Sequence, residues 1–438
     1  NVRKIKIKTT TTEVVDPAGI NEDQKIVTVE EINDNGDVTK LTDANGNVFE
    51  YVYDSEGYLV SDGARTTYKN DRNGNQTEIT VDAGTPDEAV TRQTFNAQGW
   101  LTHRESPSGL VEDFEYDAWG RTTKVTQQDQ ADASKKIVRT YTYDDGGHLI
   151  EQSDGLNRTT YKVDGIGNVL SRQTEPLEAG TTGTVTEAFS YNSQGQLVKH
   201  TDARGETTET AYNVAGQPER TIVTPDNAVT IIEYDNAGRT KSVTAPDGGR
   251  ISYTYDVWDR VLTQETTIRT ISPVNSPVNV GSSEVTVVYE YKYDSAGRLV
   301  EEKLPNGAWT RYAYDGNGNR TSDTQGGPIP SWNGVPLSSG TSDTLYPGHE
   351  VLSTHSYTFD KLGRITTETD GNGNQTTYAY AGRTVKTSMP ALQGSAPIMV
   401  TRQDSYDTMG NLVTTVNEAG ETTTRRLRCL RPCYVGRE

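Results

Sequence analysis

The sequence predicts an all-β protein built from one long, meandering antiparallel sheet, and three observations support this prediction. A short motif, an aromatic residue followed by Asp, two further residues and Gly, recurs along nearly the whole chain. The residues before each motif alternate between aromatic or apolar and polar side chains, a period of two that is typical of strands. The chain also holds 41 Gly and many Thr, which disfavours a helical bundle.

The composition constrains the class of protein further. The chain has 438 residues, a net charge of −19 and only 32% hydrophobic residues, a combination that by itself is typical of disorder. The presence of 24 Tyr against 5 Phe argues otherwise, because disordered chains are poor in aromatic residues. An acidic protein repels phosphates, and no window approaches the ~20 apolar residues of a membrane span. We therefore predict neither a nucleic-acid partner nor a membrane span.

Each repeat has a simple local interpretation. The aromatic residues end a strand, Asp starts a turn by accepting backbone hydrogen bonds, and Gly supplies the positive φ that the turn needs. A second strand follows, and then a second turn such as residues 202–205 or 370–373. One unit of roughly 21 residues is thus two strands and two turns, which makes a β-meander. The clearest motifs begin at Tyr53, Tyr116, Tyr143, Tyr234, Tyr293, Tyr314, Phe359 and Tyr406.

Extra residues enter at every second connection and always in place of the second turn. The insertions cover residues 127–136, 175–187, 265–284 and 322–352, with shorter ones at 82–91 and 388–400. In a meander the two classes of turn lie on opposite edges of the sheet, so the insertions should share one rim. Because loop length costs little once the strands pair, shortening residues 322–352 is expected to leave the fold intact.

The repeats resemble the Rhs/YD-repeat family. The pattern Y-x-Y-D-x-x-G-R-L stands at residues 291–299 and Y-x-F-D-x-x-G-R-I at residues 357–365, and the resemblance covers about residues 30–424. Members include bacterial Rhs toxins, wall-associated toxins, the C component of insecticidal toxin complexes and animal teneurins. The resemblance implies a β-strip curled into an open band or partial hollow shell, a β-cocoon. In the toxins that shell encloses a C-terminal effector.

The sequence divides into three parts. Residues 1–29 are interpreted as an N-terminal strand or linker segment and residues 30–424 as an array of about fifteen units. Residues 425–438 form a basic tail with both cysteines, which we interpret as a scar of truncation or frame change. The family's self-cleavage segment, D-P-x-G-L, is similar to Asp16-Pro17-Ala18-Gly19-Ile20, which we interpret as a chance turn because it lies at the wrong end.

The longest insertion holds the candidate catalytic residues. Tyr346, His349 and Glu350 lie close together there and could form an acid–base pair for polysaccharide cleavage. Arg311 or Arg364 would neutralise a substrate carboxylate. The alternative is an ordinary surface loop without catalytic function.

Aromatic side chains suggest a possible glycan surface. Trp332 and Tyr346 of the same insertion are the candidate binding residues, since aromatic rings stack on sugars. The repeated tyrosines have the same capacity, but their spacing favours cross-strand ladders that hold neighbouring units together.

Four D-x-N-G-N clusters, at residues 43–47, 71–75, 315–319 and 370–374, resemble calcium loops. The candidate ligands are Asp315, Asn317, Asp370 and Asn372. A full calcium loop needs Gly at position six and Glu at position twelve, whereas position six is Arg320 or Gln375. Plain turn chemistry is the alternative, and no other cofactor is predicted.

The leading functional hypothesis is a structural shell segment of a secreted or cell-surface Rhs/YD-repeat protein that encapsulates or presents a toxin or partner. Its partners would be an enclosed effector or the flanking domains of a larger chain, with a glycan as a further candidate. Two alternatives stay open. One is an extracellular carbohydrate- or protein-binding adhesion module, and the other is a polysaccharide lyase or hydrolase on a YD-repeat scaffold.

Overall fold

The protein is all-β, as predicted. The computed structural model describes residues 5–85, 88–130, 132–178, 183–270, 283–329, 331–332, 335–336, 341–343, 345–346, 348–393, 396–406 and 412–424. Within those ranges there are 38 strands and no helix. The chain forms two compact units, the first from residues 1–112, 129–134 and 291–438 and the second from residues 113–128 and 135–290.

The strands are short and follow one another with tight connections. The first half of the chain contributes β1 Lys6–Val14, β2 Gln24–Ile32, β3 Val38–Thr42, β4 Val48–Glu50, β5 Val52–Tyr53, β6 Leu59–Ser61, β7 Thr66–Asn70, β8 Gln76–Val81, β9 Ala89–Phe95, β10 Leu101–Glu105, β11 Leu110–Tyr116, β12 Thr122–Asp129, β13 Asp132–Tyr143, β14 Leu149–Ser153, β15 Asn157–Val163, β16 Val169–Pro176, β17 Val185–Tyr191, β18 Leu197–Thr201 and β19 Thr207–Tyr212. The second half contributes β20 Pro218–Val223, β21 Ala228–Tyr234, β22 Thr240–Thr244, β23 Arg250–Tyr255, β24 Val261–Thr270, β25 Ser283–Tyr293, β26 Leu299–Lys303, β27 Trp309–Tyr314, β28 Arg320–Pro328, β29 Ser331–Trp332, β30 Val335–Pro336, β31 Thr341–Ser342, β32 His349–Phe359, β33 Ile365–Thr369, β34 Gln375–Ala381, β35 Thr384–Gln393, β36 Ala396–Tyr406, β37 Leu412–Val416 and β38 Thr422–Thr424.

Strand order follows sequence order. In the second unit β19, β20 and β21 pair antiparallel in turn, and in the first unit β26, β27 and β28 do the same. The register shifts by one residue at the aromatic residue of the motif, as between Glu233 and Tyr234. The shift is a bulge at the end of the hairpin, formed where the turn glycine adopts a left-handed conformation.

The turns of the repeated motif are closed by their first side chain, Asp or Asn. At the turn 235–238 the Asp235 Oδ1 atom accepts hydrogen bonds from the amides of Ala237 and Arg239, both at 2.9 Å. The Gly238 amide donates to the Asp235 carbonyl at 3.0 Å, and Gly238 has a φ of +83°. The carboxylate thus accepts hydrogen bonds from backbone amides that find no carbonyl acceptor within the tight turn.

Two side chains, those of Arg239 and Tyr255, connect the same turn to the next repeat. The Arg239 guanidinium donates from Nε to Asp235 Oδ2 (2.8 Å) and from NH1 to the carbonyl of Asp256 (2.9 Å). It also lies 4.7 Å from the ring centroid of Tyr255, whose hydroxyl donates to the carbonyl of Thr240 at 2.7 Å. The tyrosine-to-carbonyl bond recurs at Tyr53, Tyr143, Tyr191, Tyr212, Tyr234, Tyr314 and Tyr380.

The first four strands form a sheet of their own. Strands β1 to β4 form a separate four-stranded sheet, and β2 crosses the predicted boundary between residues 29 and 30. Between β1 and β2, the Asp16 carboxylate accepts hydrogen bonds from the amides of Ala18, Ile20 and Asn21, so residues 16–20 form a turn. This four-stranded sheet therefore spans residues 6–50, because β2 pairs with β3 and β3 with β4.

The insertions are mainly longer hairpins. Strands β24 and β25 stay paired as far as Thr270 and Ser283, and β35 and β36 as far as Gln393 and Ala396. Strand β28 likewise pairs with β32 up to Pro328 and His349. The described residues of these insertions therefore extend the sheet.

We expect the change Tyr255→Phe to weaken the link between two neighbouring repeats without removing the aromatic ring. The lost hydroxyl leaves the Thr240 carbonyl with one partner fewer, a cost of about 1 kcal/mol. Hydrogen exchange should speed up at β22 and β23 and stay unchanged in β17 and β18. Equal exchange rates in Tyr255→Phe and the parent protein at β22 and β23 would contradict this prediction.

The array should be sensitive to acid. Hydrogen bonds from the residue four positions on, by its side chain or its backbone, are the main cause that lowers the pKa of Asp71, Asp144, Asp164, Asp235 and Asp370. A carboxylate with a lowered pKa in the folded state stabilises the fold above its unfolded pKa of about 3.9, and that stabilisation is lost as the pH falls through the folded value.

The melting temperature should therefore change little from pH 7 to about pH 5 and fall steeply below about pH 4. Thermal scans followed by circular dichroism measure it. A melting temperature that stays flat down to pH 3 would show that the turn carboxylates contribute nothing.

Candidate functional site

The structure brings two predicted residues together in the first unit. Arg311 lies on β27, and Tyr346 comes from the connection that leads to β32. The Arg311 guanidinium lies 5.2 Å from the ring centroid of Tyr346. The segment that carries Tyr346 therefore folds back against the strands instead of standing away from them.

A buried carboxylate is the centre of this contact. Glu301 on β26 is only 1% exposed, and its Oε2 accepts from Arg311 Nε at 2.8 Å. Its Oε1 accepts from the Tyr346 hydroxyl at 2.6 Å and lies 2.7 Å from Lys292 Nζ. Lys292 also donates to the Tyr346 oxygen at 2.7 Å. We call Lys292, Glu301, Arg311, Asp343 and Tyr346 the Arg311 cluster.

A second carboxylate completes the contacts of the guanidinium. Asp343 receives two parallel hydrogen bonds from Arg311, each 3.0 Å long, the bidentate geometry that fits a guanidinium to a carboxylate. On its flat face the same guanidinium stacks on the ring of Trp309, 3.8 Å from the centroid. The Trp309 ring in turn leaves no space for a side chain at Gly326, where a Cβ atom would lie 2.2 Å from it.

The charges of the Arg311 cluster balance. Burial favours the neutral form of Glu301, but hydrogen bonds from Lys292, Tyr346 and Arg311 outweigh it and lower the pKa. For Asp343, burial is likewise outweighed by the Arg311 hydrogen bonds, and the pKa is lowered. The pKa of Arg311 and that of Lys292 are raised, since their carboxylate partners overcome the effect of burial. Two cations and two anions therefore stay ionised in mutual contact.

The two remaining catalytic candidates of the insertion lie beside the cluster. The His349 ring is 5.4 Å from that of Tyr346, and its Nδ1 is buried without a hydrogen-bond partner among the described residues. The Glu350 side chain is 1% exposed and its backbone pairs with Gly327 of β28. A carboxyl group that meets a polysaccharide needs access from solvent, and Glu350 lacks it. The side chain of Trp332 lies outside the described residues.

Arg364 does not join this cluster. Its Nε donates to Asp360 Oδ2 at 2.8 Å and its guanidinium stacks on Tyr380 at 4.2 Å. These are the contacts of Arg239 in the second unit, so Arg364 is one more linker between repeats.

The calcium candidates close turns. Asp315 accepts from the Asn319 amide and side chain, and Asp370 does the same for Asn374, all at 2.8 to 2.9 Å. The Asn372 amide donates to Asp370 Oδ1 at 2.9 Å. Among the described residues no group of three or more His, Cys, Asp or Glu side chains is arranged to hold a metal ion.

Two of the D-x-N-G-N turns interlock with each other. Asn45 donates to Asp315 Oδ2 and Asn317 donates to Asp43 Oδ2, both at 2.8 Å. The Ala44 amide donates to Asn317 Oδ1, and the amide of Gly316 donates to Asn45 Oδ1, both at 3.1 Å. The N-terminal sheet is fastened to the turn after β27 by this reciprocal set of bonds.

Sequence reasoning missed Glu301, Lys292, Trp309 and Asp343. Glu301 and Lys292 look like exposed positions of alternating strands, and Asp343 is one of many acidic residues. The one available signal was Trp309, a large apolar residue directly after a turn at the start of a strand that also carries Arg311.

The fold and the site define a class: an all-β repeat protein whose ionisable side chains are used to join its units. Two family models match the chain, the teneurin YD-shell over residues 172–267 and the Rhs repeat over residues 95–132 and 287–327. The predicted resemblance is thus confirmed: parts of the chain match the Rhs-repeat and teneurin YD-shell family models.

Curated relatives are much longer than this chain. The probable deoxyribonuclease RhsA of Dickeya dadantii is 29% identical over 196 residues, which cover 40% of this chain and 13% of that protein. The double-stranded DNA deaminase toxin A of Burkholderia cenocepacia is 25% identical over 395 residues, 88% of this chain and 25% of the relative. The chain spans a quarter or less of these relatives.

Solved structures show the same fold. A crystal structure of TcdB2–TccC3 without the hypervariable C-terminal region matches 90% of this chain with a TM-score of 0.62 and 16% identity. The match covers 23% of that chain, and a TcdB2–TccC3–Cdc42 structure matches with the same values. Among the described residues of this chain, no helix is long and apolar enough to cross a membrane.

We expect Arg311→Met to destabilise the first unit by about 3–5 kcal/mol, because it leaves two buried carboxylates without their shared cation. Lys8→Ala is the control, since Lys8 forms an exposed pair with Glu30 and should cost less than about 1 kcal/mol. Urea denaturation measures both. Similar midpoints for the two variants would mean that the Arg311 cluster adds little to stability.

The cluster also changes the expected result of a deletion. Asp343 and Tyr346 belong to residues 322–352, so shortening that insertion removes partners of Arg311 and Glu301. We expect the shortened protein to lose stability like Arg311→Met, contrary to the prediction from loop length alone. Melting curves of the two variants compare them directly.

Proposed function

We propose that this chain is a wall segment of a hollow shell that encloses or presents an effector polypeptide of a larger protein. The fold match to TcdB2–TccC3 over 90% of the chain is the observation that supports this most. The relatives are named as a deoxyribonuclease, a double-stranded DNA deaminase toxin and a tRNA nuclease, and each is several times longer than this chain. The nuclease and deaminase activities are those of the relatives. The part of each relative that aligns with this chain is taken to be the repeat array.

The chemistry of the array fits a wall. Glu301, Asp343 and Arg311 are the most buried ionised groups of the candidate site, and both carboxylates are paired with Arg311. Catalysis by acid and base needs a group whose proton can reach a substrate. The ion pairs use these groups for cohesion, which favours the structural role over the enzymatic one.

The shell hypothesis carries a location with it. An enclosed effector must be kept from its own producer until delivery, so we propose export or display at the cell surface. The net charge of −19 suits this, because it keeps the array soluble and away from nucleic acid.

The test uses the full-length protein that carries this array, with a specific protease site placed directly after residue 424. After cleavage, the downstream polypeptide should co-elute with the array and resist thermolysin at concentrations that digest it alone. The Arg311→Met array should release it at a lower temperature, whereas Lys8→Ala should not. A polypeptide that separates on cleavage and is digested at the same rate as the free form would overturn the proposal.

A further inference from the structure

Four turns of the first unit share the sequence pattern Asp-x-Asn-Gly-Asn, at residues 43–47, 71–75, 315–319 and 370–374. In each turn the side chain of the first Asp accepts a hydrogen bond from the backbone amide of the last Asn. The central asparagine is exposed and precedes Gly in all four turns, at Asn45, Asn73, Asn317 and Asn372. Local sequence and exposure are therefore alike at four positions of one molecule.

An Asn-Gly pair is the dipeptide at which an asparagine side chain most readily loses its amide. The backbone nitrogen of the glycine attacks Cγ of the asparagine, so that an N–C bond forms and the bond from Cγ to Nδ2 breaks. Water carries the proton of the glycine nitrogen to Nδ2, which leaves as ammonia. A second water then opens the succinimide ring to aspartate or isoaspartate. Glycine favours the ring closure because it has no side chain to obstruct the approach.

Two of the four carboxamides are held by the opposite turn. Asn45 donates from Nδ2 to Asp315 Oδ2 at 2.8 Å and accepts at Oδ1 from the amide of Gly316 at 3.1 Å. Asn317 is held in the same way, at the same two distances, by the turn 43–47. Both polar atoms of each carboxamide are bound, so its Cγ is kept from turning toward the glycine nitrogen while the two turns stay in contact.

The other two carboxamides are free. Within the described ranges, Asn73 and Asn372 make hydrogen bonds only through their backbone amides, which donate to Asp71 and Asp370. The attacking nitrogen is held alike in all four turns, because the glycine amide donates to the carbonyl of the first Asp at 2.9 to 3.1 Å. The four positions thus differ in the binding of the carboxamide alone.

We propose that Asn45 and Asn317 are deamidation sites that make the interlocked turns 43–47 and 315–319, here called the latch, open in one direction only. While the latch is closed, its own hydrogen bonds protect both asparagines. When it opens, either asparagine is converted to a carboxylate, and the latch does not close again. The proposal does not depend on the shell function, since the co-reactant is water and the sites lie on the turns themselves.

Charge makes the opening permanent. Deamidation of Asn317 replaces a donor with a carboxylate oxygen at a position 2.8 Å from Asp43 Oδ2. Burial raises the pKa of Asp43, but hydrogen bonds from Asn47, Asn317 and the turn backbone outweigh it and lower the pKa. Asp43 is therefore ionised at neutral pH, and two carboxylates at that distance repel each other. Isoaspartate also adds a methylene group to the backbone of the turn, which displaces the residues that follow.

Peptide mapping by mass spectrometry of the unaltered full-length protein, kept in neutral buffer, measures all four asparagines in one sample. Fragmentation by electron transfer separates isoaspartate from aspartate. We expect Asn73 and Asn372 to convert at least about tenfold faster than Asn45 and Asn317, because only the latter pair requires the latch to open. In urea all four should convert at similar rates. Equal rates in the folded protein, or a difference that persists in urea, overturns the proposal.

The change Asp43→Asn loosens the latch without opening its own turn. It removes the acceptor of Asn317, and an Asn can close the turn because Asn192 closes another turn in the same way. Deamidation of Asn45 and Asn317 should accelerate about tenfold, as expected for the loss of one hydrogen bond to a charged group. Asp71→Asn is the matched control, since Asp71 makes the same bonds within a free turn, and both rates should stay unchanged. Unchanged rates in Asp43→Asn overturn the proposal.

The change Asn45→Asp reproduces the product directly. Hydrogen exchange at β3 and β4 should speed up at neutral pH, because the new carboxylate faces Asp315. Strands β1 and β2 should change less, since Val15 and Gln24 keep their own bonds to the first unit. Asn73→Asp is the control and should leave exchange at β3 and β4 as it is. Equal exchange in Asn45→Asp and the parent protein overturns the one-way latch.

Discussion

The bond between an aspartate carboxylate and the backbone amides of its own turn is the interaction on which the structure depends. At Asp235 one carboxylate oxygen holds two amides and the other holds the arginine that follows. Because Arg239 is oriented in this way, it can reach the carbonyl of Asp256 and the face of Tyr255 in the next unit. A local turn thereby sets the position of a neighbour, and repetition of the step produces the array.

Stability in such an array comes from many small polar links and a thin apolar core. The buried apolar residues among those described are Val14, Ala89, Val111, Val300 and Trp309. Most side chains of the described strands are half-buried or exposed, so few are enclosed. A chain with 32% hydrophobic residues, which resembles a disordered one in composition, can fold because its tyrosines and arginines bridge adjacent units.

The sequence was sufficient for everything that is local. Strand alternation and the Asp-to-Gly turns follow from residues that lie within one repeat, as at Tyr255 and Asp256, whereas the bond from the tyrosine hydroxyl to a carbonyl was not predicted. Contacts between distant segments were not predictable. The sequence around Asp343 does not indicate that this residue contacts Arg311. Asn45 and Asn317 likewise resemble ordinary turn residues, although their two turns bind each other in the structure.

The candidate site shows the same limit. Tyr346 and Arg311 were predicted as catalytic residues, and the structure brings them together. Both bind the buried carboxylate of Glu301, whose negative charge is balanced by that of Arg311. A charged residue at an alternating strand position gives no indication in the sequence that it will be buried. The missing information is the path of the insertion, which is decided by its packing and not by its own propensity.

The interlocked turns have a consequence for the order of events during synthesis. Asn45 and Asp315 are separated by 270 residues, whereas most strand pairs join neighbours. At roughly 5–20 residues per second, the N-terminal sheet is synthesised about 14 to 54 s before its partner turn exists. For that interval the bonds between residues 43–47 and residues 315–319 cannot form, so the two turns interlock only late in synthesis.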